Sequence, residues 1–163
     1  MHDTSALVTA LSAALRQRGW LMATAESCTG GLIAGACTDL AGSSDWFERG
    51  FVSYSNQAKT EMLGVDAALI ATHGAVSEAV ALAMSLGAVA HSRAQCSLSV
   101  TGVAGPGGGS PAKPVGTVWF GWNVNGQADA ECLQLPGDRA AVRQATLQHA
   151  LAGLLQRLSA ASA

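Results

Sequence analysis

The sequence predicts an α/β protein, a three-layer α/β/α sandwich with a mixed sheet in a single domain that spans residues 1–163. Helical apolar stripes alternate with short apolar strands through roughly the first hundred residues. Near the end of the chain, Asn125-Gly126 separates two strand-like runs, which is typical of a β-hairpin. The length of 163 residues and the hydrophobic fraction of 49% suit one buried core.

The first half of the chain begins with a clear helix. Leu7, Leu11 and Leu15 recur every fourth residue, which predicts a helix over 5–18 that Gly19 ends. A short buried strand is then expected from Trp20 to Ala25. The later elements of this half are a helix over 32–40, a turn over 41–44, a strand over 49–55, a helix over 57–63 capped by Asn56, and a short helix from Asp66.

The second half begins with a long helix and ends with the hairpin and a further helix. The pair His73-Gly74 interrupts the helical pattern, and a new helix is predicted from Ser77 to about His91. The remaining expectations are a strand over 96–100, a glycine- and proline-rich loop over 101–114, strands over 115–124 and 128–135, a helix from Gly137-Asp138-Arg139 to about Leu158, and a frayed tail over 159–163.

Composition excludes several classes of function. The net charge is −2 without a run of like charges, so neither nucleic acid nor an anionic membrane surface is an expected partner. No apolar stretch is long enough for a membrane span, and the N-terminus lacks the pattern of a secretory signal, which predicts a cytoplasmic location. The four cysteines show no metal-ligand spacing, so we expect no metal, and buried free thiols at the three cysteines other than Cys28.

The segment 24–31 is the first candidate for chemistry, because it joins a predicted strand to a predicted helix. Ser27 would lie near the N-terminus of that helix, where free backbone N–H groups can hold an anion or an oxyanion. An ordinary N-cap cluster would have the same composition, since serine and threonine are favoured there. Spacing alone leaves both interpretations open.

Lys59 is the second candidate, because the chain has only two lysines beside seven arginines. A lysine acts as a base only when burial or a neighbouring charge lowers its pKa, and arginine cannot take that role. Ser44 and Tyr54, the one tyrosine, precede Lys59 in the same stretch. The alternative is a solvated lysine that pairs with Glu61 or Asp66.

Two further segments could hold a phosphate. The loop over 99–109 is rich in glycine and follows a strand, so its backbone could approach a phosphate closely, although it lacks the pattern of a P-loop. Arg139 and Arg143 lie one helical turn apart and could both bind one phosphate. The alternatives are a flexible crossover and a capped, solvated start of a helix.

Six stretches together resemble the CinA C-terminal domain family, also called the nicotinamide-nucleotide amidase family. They occur in family order and are TAESCTGGLIAG (24–35), AGSSDWFERGFVSYSNQAK (41–59), HGAVSE (73–78), SVTGVAGPGGG (99–109), KPVGTVWFGW (113–122) and GDRAAVR (137–143). The resemblance implies hydrolysis of nicotinamide mononucleotide to nicotinate mononucleotide and ammonia. It also implies a Ser/Lys dyad, no metal, no organic cofactor and a homo-oligomer. Longer members carry an additional N-terminal domain, so this chain is expected to be a stand-alone enzyme.

The resemblance also implies catalytic and binding roles for individual residues of this chain. Lys59 would be the base, Tyr54 its polar partner, and either Ser27 or Ser44 the nucleophile, since both fall in family motifs. The expected substrate and phosphate contacts are Glu26, Thr29, Gly30, Gly31, Thr101, Gly102, Gly105 and Gly107, with Arg139 or Arg143. Two alternatives remain, a cysteine amidase that uses Cys28 and a catalytically silent nucleotide-binding module.

Overall fold

The described part of the chain alternates helices and strands. A computed structural model describes residues 3–161. Its elements in chain order are α1 (Thr4–Arg18), β1 (Met22–Glu26), α2 (Leu32–Thr38), a 3-10 turn (Ser43–Asp45), β2 (Phe47–Val52), α3 (Asn56–Leu63), α4 (Ala67–His73), α5 (Glu78–Ala90), β3 (Cys96–Gly102), β4 (Thr117–Val124), β5 (Gln127–Gln134) and α6 (Arg139–Ala160).

The five strands form one mixed sheet in the order β2-β1-β3-β4-β5. β1 pairs in parallel with β2 and β3, while β3–β4 and β4–β5 are antiparallel. Asn125 and Gly126 both take positive φ in the β4–β5 connection, at 52° and 90°, as a tight hairpin turn requires. The predicted hairpin and mixed sheet are therefore confirmed.

Helices cover both faces of the sheet. One layer contains α1, α2 and α6, whose apolar residues pack with the sheet in a core around Leu11, Trp122 and Leu151. The other contains α3, α4 and α5, with a second core around Phe51 and Met84. The arrangement is a single α/β domain in three layers, which confirms the predicted fold class.

Some predicted boundaries were wrong at the level of single residues. The cap of α3 is Ser55, whose hydroxyl accepts from the Ala58 N–H, and Asn56 is already helical. α6 extends to Ala160, and fraying of the tail from residue 159 stays a prediction. The Arg18 guanidinium donates to the carbonyls of Leu158 and Ala161, which holds this end in place. Residues 162–163 of the predicted tail lie outside the described residues.

The order of strands and helices indicates at which edge of the sheet a ligand-binding site lies. The chain leaves β1 through α2 on one face to reach β2, and leaves β2 through α3–α5 on the other face to reach β3. β1 therefore stands at a topological switch point, and the carboxyl ends of β1, β2 and β3 meet there. Ligands of open α/β sheets bind at such an edge.

Candidate active site

Ser27 lies immediately beyond the carboxyl end of β1, where the sheet fixes its backbone. Its N–H donates to the Val100 carbonyl of β3 at 3.1 Å. On the other side, the Ser53 N–H donates to the Glu26 carbonyl at 2.9 Å. Ser27 is only 7% exposed. One ladder hydrogen bond from Ser27 itself and one to the preceding Glu26 therefore fix the backbone at this position.

Lys59 points from α3 onto Ser27. Its Nζ donates to Ser27 Oγ at 3.0 Å and to the Tyr54 carbonyl oxygen at 3.0 Å, and the residue is 1% exposed. No carboxylate among residues 3–161 lies within ion-pair distance of this amine. Burial lowers the pKa of Lys59, while the charge of a Cys28 thiolate would raise that pKa by less. The solvated lysine considered from the sequence is thus not what the structure contains.

Tyr54 contributes its backbone rather than its ring. The carbonyl oxygen lies 3.0 Å from Lys59 Nζ and 3.4 Å from Ser27 Oγ, so it can accept from either group. The residue itself is 60% exposed. The sequence prediction of a polar partner at this position therefore corresponds to a main-chain acceptor, which any residue type could supply.

Ser44 lies at the opposite edge of the sheet from Lys59. It belongs to the 3-10 turn that precedes β2, whereas the Ser27–Lys59 pair lies beyond the carboxyl ends of the parallel strands. A six-residue strand separates the two edges, a distance of roughly 20 Å at about 3.3 Å per residue. The two serines that the sequence left open are distinguished by this geometry, because only Ser27 contacts Lys59.

Cys28 follows Ser27 but is a buried thiol rather than an activated one. Burial raises the pKa of Cys28 from 9.0 to about 11, and Glu26 adds to that effect. Arg143 and Lys59 act in the opposite direction without reversing it. A thiol with this pKa is protonated at neutral pH, so the environment disfavours Cys28 as a nucleophile.

Glu26 shapes the turn that carries Ser27. Its buried carboxylate accepts from the Thr29 hydroxyl at 2.6 Å and from the N–H groups of Ile33 and Ala34 at 2.9 Å each. These contacts close the turn over 27–31 and cap the start of α2. The side chains of Glu26 and Thr29, both predicted near the substrate, are thus engaged within the turn itself.

Arg143 and Arg139 reach from α6 to the two loops at this edge. Arg143 donates to the carbonyls of Cys28 and Thr29, both at 3.1 Å, and Arg139 donates to the Gly105 carbonyl at 2.8 Å. Both arginines line an open cleft of about 660 Å³. Its other lining residues are Ala104, Pro106, Val115, Gly137, Asp138 and Ala140. A second cleft of about 500 Å³ includes Arg143, Gly30 and Gly31.

The glycine-rich loop places its predicted residues in different surroundings. Thr101 is 1% exposed, and its hydroxyl donates to the Ala75 carbonyl at 2.9 Å. A Cβ at Gly102 would meet Val118 at 2.7 Å, so this position requires glycine for close packing. Gly105 has a φ of 85° and accepts from Arg139, while a Cβ at Gly107 would meet open space. Gly105 is therefore the residue of this set that the structure brings to an arginine.

Ser53 is a residue at this edge that the sequence interpretation missed. It is fully buried at the carboxyl end of β2, and its hydroxyl has no hydrogen-bond partner among residues 3–161. The run Ser53-Tyr54-Ser55 directly before a helix containing the candidate lysine was the available signal. The same described residues contain no cluster that could hold a metal ion and no helix suited to crossing a bilayer.

The chain is similar to known proteins over nearly its whole length. The model of the CinA C-terminal domain matches residues 4–158. The nicotinamide-nucleotide amidohydrolase PncC of Escherichia coli K12 is 52% identical over 147 residues, 88% of each chain. The PncC of Pseudomonas putida is 52% identical over 156 residues, 96% of this chain and 98% of that protein.

Solved structures agree with the same assignment. A CinA superfamily protein from Klebsiella pneumoniae 700603 matches with a TM-score of 0.94 at 39% identity, covering 98% of this chain and 100% of that chain. The competence/damage inducible protein CihA from Agrobacterium tumefaciens matches with a TM-score of 0.93 at 44% identity, covering 98% and 97%. The chain belongs to the CinA C-terminal domain family.

Proposed function

We propose that this chain hydrolyses the carboxamide of nicotinamide mononucleotide to give nicotinate mononucleotide and ammonia, with Ser27 as nucleophile and Lys59 as base. The observation that carries the proposal is the 3.0 Å contact between Lys59 Nζ and Ser27 Oγ in a buried site. The amidohydrolase activity named for relatives with 52% identity supplies the substrate.

The first half-reaction forms an ester on Ser27. Neutral Lys59 takes the hydroxyl proton as Ser27 Oγ attacks the carboxamide carbon. The tetrahedral intermediate collapses as Lys59 returns this proton to the departing nitrogen, which leaves as ammonia. Burial lowers the pKa of Lys59, so the amine is closer to the neutral form that this step needs.

Backbone N–H groups of the turn supply a donor set for the oxyanion. The N–H groups of Thr29 and Gly31 have no acceptor among residues 3–161, whereas those of Ile33 and Ala34 donate to Glu26. Donors that the turn already holds in place need no reorganisation when negative charge develops. Water then attacks the ester carbon, Lys59 takes its proton and returns it to Ser27 Oγ, and nicotinate mononucleotide is released.

The phosphate of the substrate is proposed to lie in the cleft between α6 and the glycine-rich loop. Arg139 and Arg143 both line this cleft, and each guanidinium keeps N–H donors beyond those bound to loop carbonyls. Gly105 and Gly107 would let the loop backbone approach the phosphate. Thr101 and Gly102 would shape this loop, because the Thr101 hydroxyl is engaged by Ala75.

The decisive experiment measures ammonia release from nicotinamide mononucleotide by the purified protein and three variants. Ser27→Ala should lower turnover by about 10⁴-fold or more, since it removes the nucleophile. Ser44→Ala is the matched control and should retain turnover, as should Cys28→Ser. An active Ser27→Ala with an inactive Cys28→Ser would identify a cysteine amidase instead. Nucleotide binding without ammonia release by the unmodified protein would identify a silent binding module.

Two further expectations stay predictions, one from the family resemblance and one from the lack of membrane and secretory patterns in the sequence. A homo-oligomer should appear as a mass above that of one chain in light scattering, and a fluorescent fusion should report the predicted cytoplasmic location. Neither experiment bears on the roles of Ser27 and Lys59.

A further inference from the structure

The Ser53 hydroxyl is a buried polar group without a partner beside the proposed catalytic pair. Ser53 is 0% exposed, and Oγ finds no hydrogen-bond partner among residues 3–161. Buried side-chain oxygens in folded proteins are nearly always hydrogen-bonded, so an exception at a functional edge requires an explanation. A partner for this hydroxyl is expected in a state of the site that carries a different charge.

Strand register places Ser53 next to Ser27. β1 and β2 pair Glu26 with Val52, and the Ser53 N–H donates to the Glu26 carbonyl at 2.9 Å. Continuing this register by one residue sets Ser53 opposite Ser27. Neighbouring strands lie about 4.8 Å apart in a sheet. The short side chains of Ser27 and Ser53 are therefore close enough for the Lys59 amine to reach both.

The two hydroxyls also belong to the same face of the sheet. Phe51 packs in the core on the α3–α5 side with Leu63, and side chains alternate along a strand, so Ser53 faces that side as well. The Ser27 hydroxyl meets Lys59, which reaches it from α3 in that layer. The Tyr54 carbonyl, directly after Ser53, already accepts from Lys59 Nζ.

The protonation state of Lys59 determines how many acceptors its amine needs. A neutral amine can accept from the Ser27 hydroxyl with its lone pair and donate one of its two N–H groups to the Tyr54 carbonyl, while the second N–H is a weak donor. Once it has taken the Ser27 proton it is an ammonium, with three N–H donors. The substrate-bound oxygen of Ser27 and the Tyr54 carbonyl can accept two of them, which leaves one donor in a buried site.

We infer that Ser53 is a positioning residue whose hydroxyl oxygen accepts the remaining N–H of Lys59 whenever Lys59 carries the proton of Ser27. This inference rests on the proposed function for its timing and on the geometry for its location. An N–H of an ammonium is a stronger donor than an N–H of a neutral amine, so the contact with Ser53 stabilises the charged state of Lys59 more than the neutral state.

Other groups near Lys59 do not supply this acceptor. Cys28 is the titratable group whose charge acts on the Lys59 amine, and it does so less than burial. Glu26 is committed to α2, and Glu61 on α3 accepts from Gln57. On β2, Glu48 and Arg49 pair with each other. No hydrogen bond joins Lys59 to the Tyr54 hydroxyl or to the titratable groups of α4, α5 and their ends, which are Asp66, His73, Glu78 and His91. Ser53 is thus the unpaired acceptor of the described site.

The test measures the protonation of Lys59 directly, without turnover. The chain has only two lysines, so ¹³Cε-labelled lysine gives two NMR signals, and Lys59→Met assigns them. Ser53→Ala should lower the Lys59 titration midpoint by about one to two pH units, because the ammonium loses one hydrogen bond. The ascending limb of the kcat profile should move by the same amount, and the plateau kcat should fall about tenfold. Ser53→Thr keeps the hydroxyl and should restore both midpoints.

Thr24→Val is the matched control. Thr24 carries another buried hydroxyl without a partner, but it faces α2, because a Cβ at Gly50 would meet both Thr24 Oγ1 and Ala34. Its replacement should leave the Lys59 midpoint in place. A Ser53→Ala midpoint within about 0.3 pH units of the unmodified protein, or an equal shift in Thr24→Val, overturns the inference. If Ser53→Ala does not fold, Ser53→Cys, with its weak sulfur acceptor, is expected to lower the midpoint in the same direction, and an unchanged midpoint there overturns it.

The two readouts separate this inference from the proposed function. An unmodified protein that releases no ammonia contradicts the proposed function, while the NMR midpoint still reports whether Ser53 contacts the ammonium. If the protein is an amidase that needs Ser27, but the titration midpoint of Lys59 does not depend on Ser53, the inference alone is contradicted.

Discussion

Replacing Lys59 with methionine should change how the stability of the protein depends on pH. Lys59 is 1% exposed and lacks a carboxylate partner among residues 3–161, and burial lowers its pKa below the ordinary value of 10.5. Methionine keeps most of the length of the stem and removes the titrating amine. The variant therefore isolates the free energy associated with burying this one group.

The sign of the effect follows from proton binding in the two states. The unfolded chain releases the Lys59 proton near pH 10.5, and the folded protein releases it at a lower pH. Between these two values the unfolded state holds the extra proton, so the free energy of unfolding increases as the pH rises, by at most about 1.4 kcal/mol per pH unit. Below the folded pKa both states are protonated, and the contribution is constant and unfavourable to folding.

The quantity to measure is the unfolding free energy of the unmodified protein minus that of Lys59→Met, from urea denaturation between about pH 6 and the unfolded pKa of 10.5. Both proteins contain the buried thiols of Cys28, Cys37 and Cys96. Taking the difference removes the contribution of the last two, whereas part of the Cys28 contribution remains because Cys28 interacts with Lys59. Burial raises the pKa values of these three thiols to about 11, 12 and 12, so they oppose Lys59 at alkaline pH.

The difference should rise with pH in this range. Lys113→Met is the matched control, because it removes the other lysine and leaves the Ser27–Lys59 contact in place. A difference for Lys59→Met that stays flat from about pH 6 to 10.5, or one that the control reproduces, would refute the argument.

Three further predictions concern activity and packing. Lys59→Arg should be as inactive as Lys59→Ala, because arginine stays protonated, whereas Lys113→Arg should retain turnover; an active Lys59→Arg would contradict a lysine base. Nicotinamide riboside should have a specificity constant about 10²- to 10³-fold below that of the mononucleotide, because it lacks the phosphate. Arg139→Ala should lower the specificity constant for the mononucleotide alone. Equal specificity constants for both substrates would contradict the proposed phosphate site. Gly87→Ala should lower the free energy of unfolding by about 1–3 kcal/mol, because its Cβ would meet the Leu63 carbonyl oxygen at 2.0 Å; an unchanged urea midpoint would show that α3 and α5 separate freely.

Much of the fold is predictable from local patterns in this sequence. The four-residue spacing of Leu7, Leu11 and Leu15 predicts α1, and Asn125-Gly126 predicts the β4–β5 hairpin, because periodicity and turn chemistry act over a few residues. The cap of α3 was assigned to Asn56 rather than Ser55, since both residue types are good caps and stand side by side. Strand order was beyond reach, because pairing depends on contacts between residues far apart in the sequence.

Part of the candidate site was likewise predictable from the sequence, and part of it was not. The sequence by itself determined the residue types, since a rare lysine, serines in two motifs and a family resemblance indicated a Ser/Lys amidase before any geometry was known. Only the tertiary structure separated Ser27 from Ser44, because parallel pairing of β1 with β2 sends one to the carboxyl edge and the other to the amino edge. It also buried Lys59, and burial rather than sequence neighbours lowers the pKa of this amine. Desolvation is a property of everything that surrounds a group in three dimensions, so no local pattern contains it.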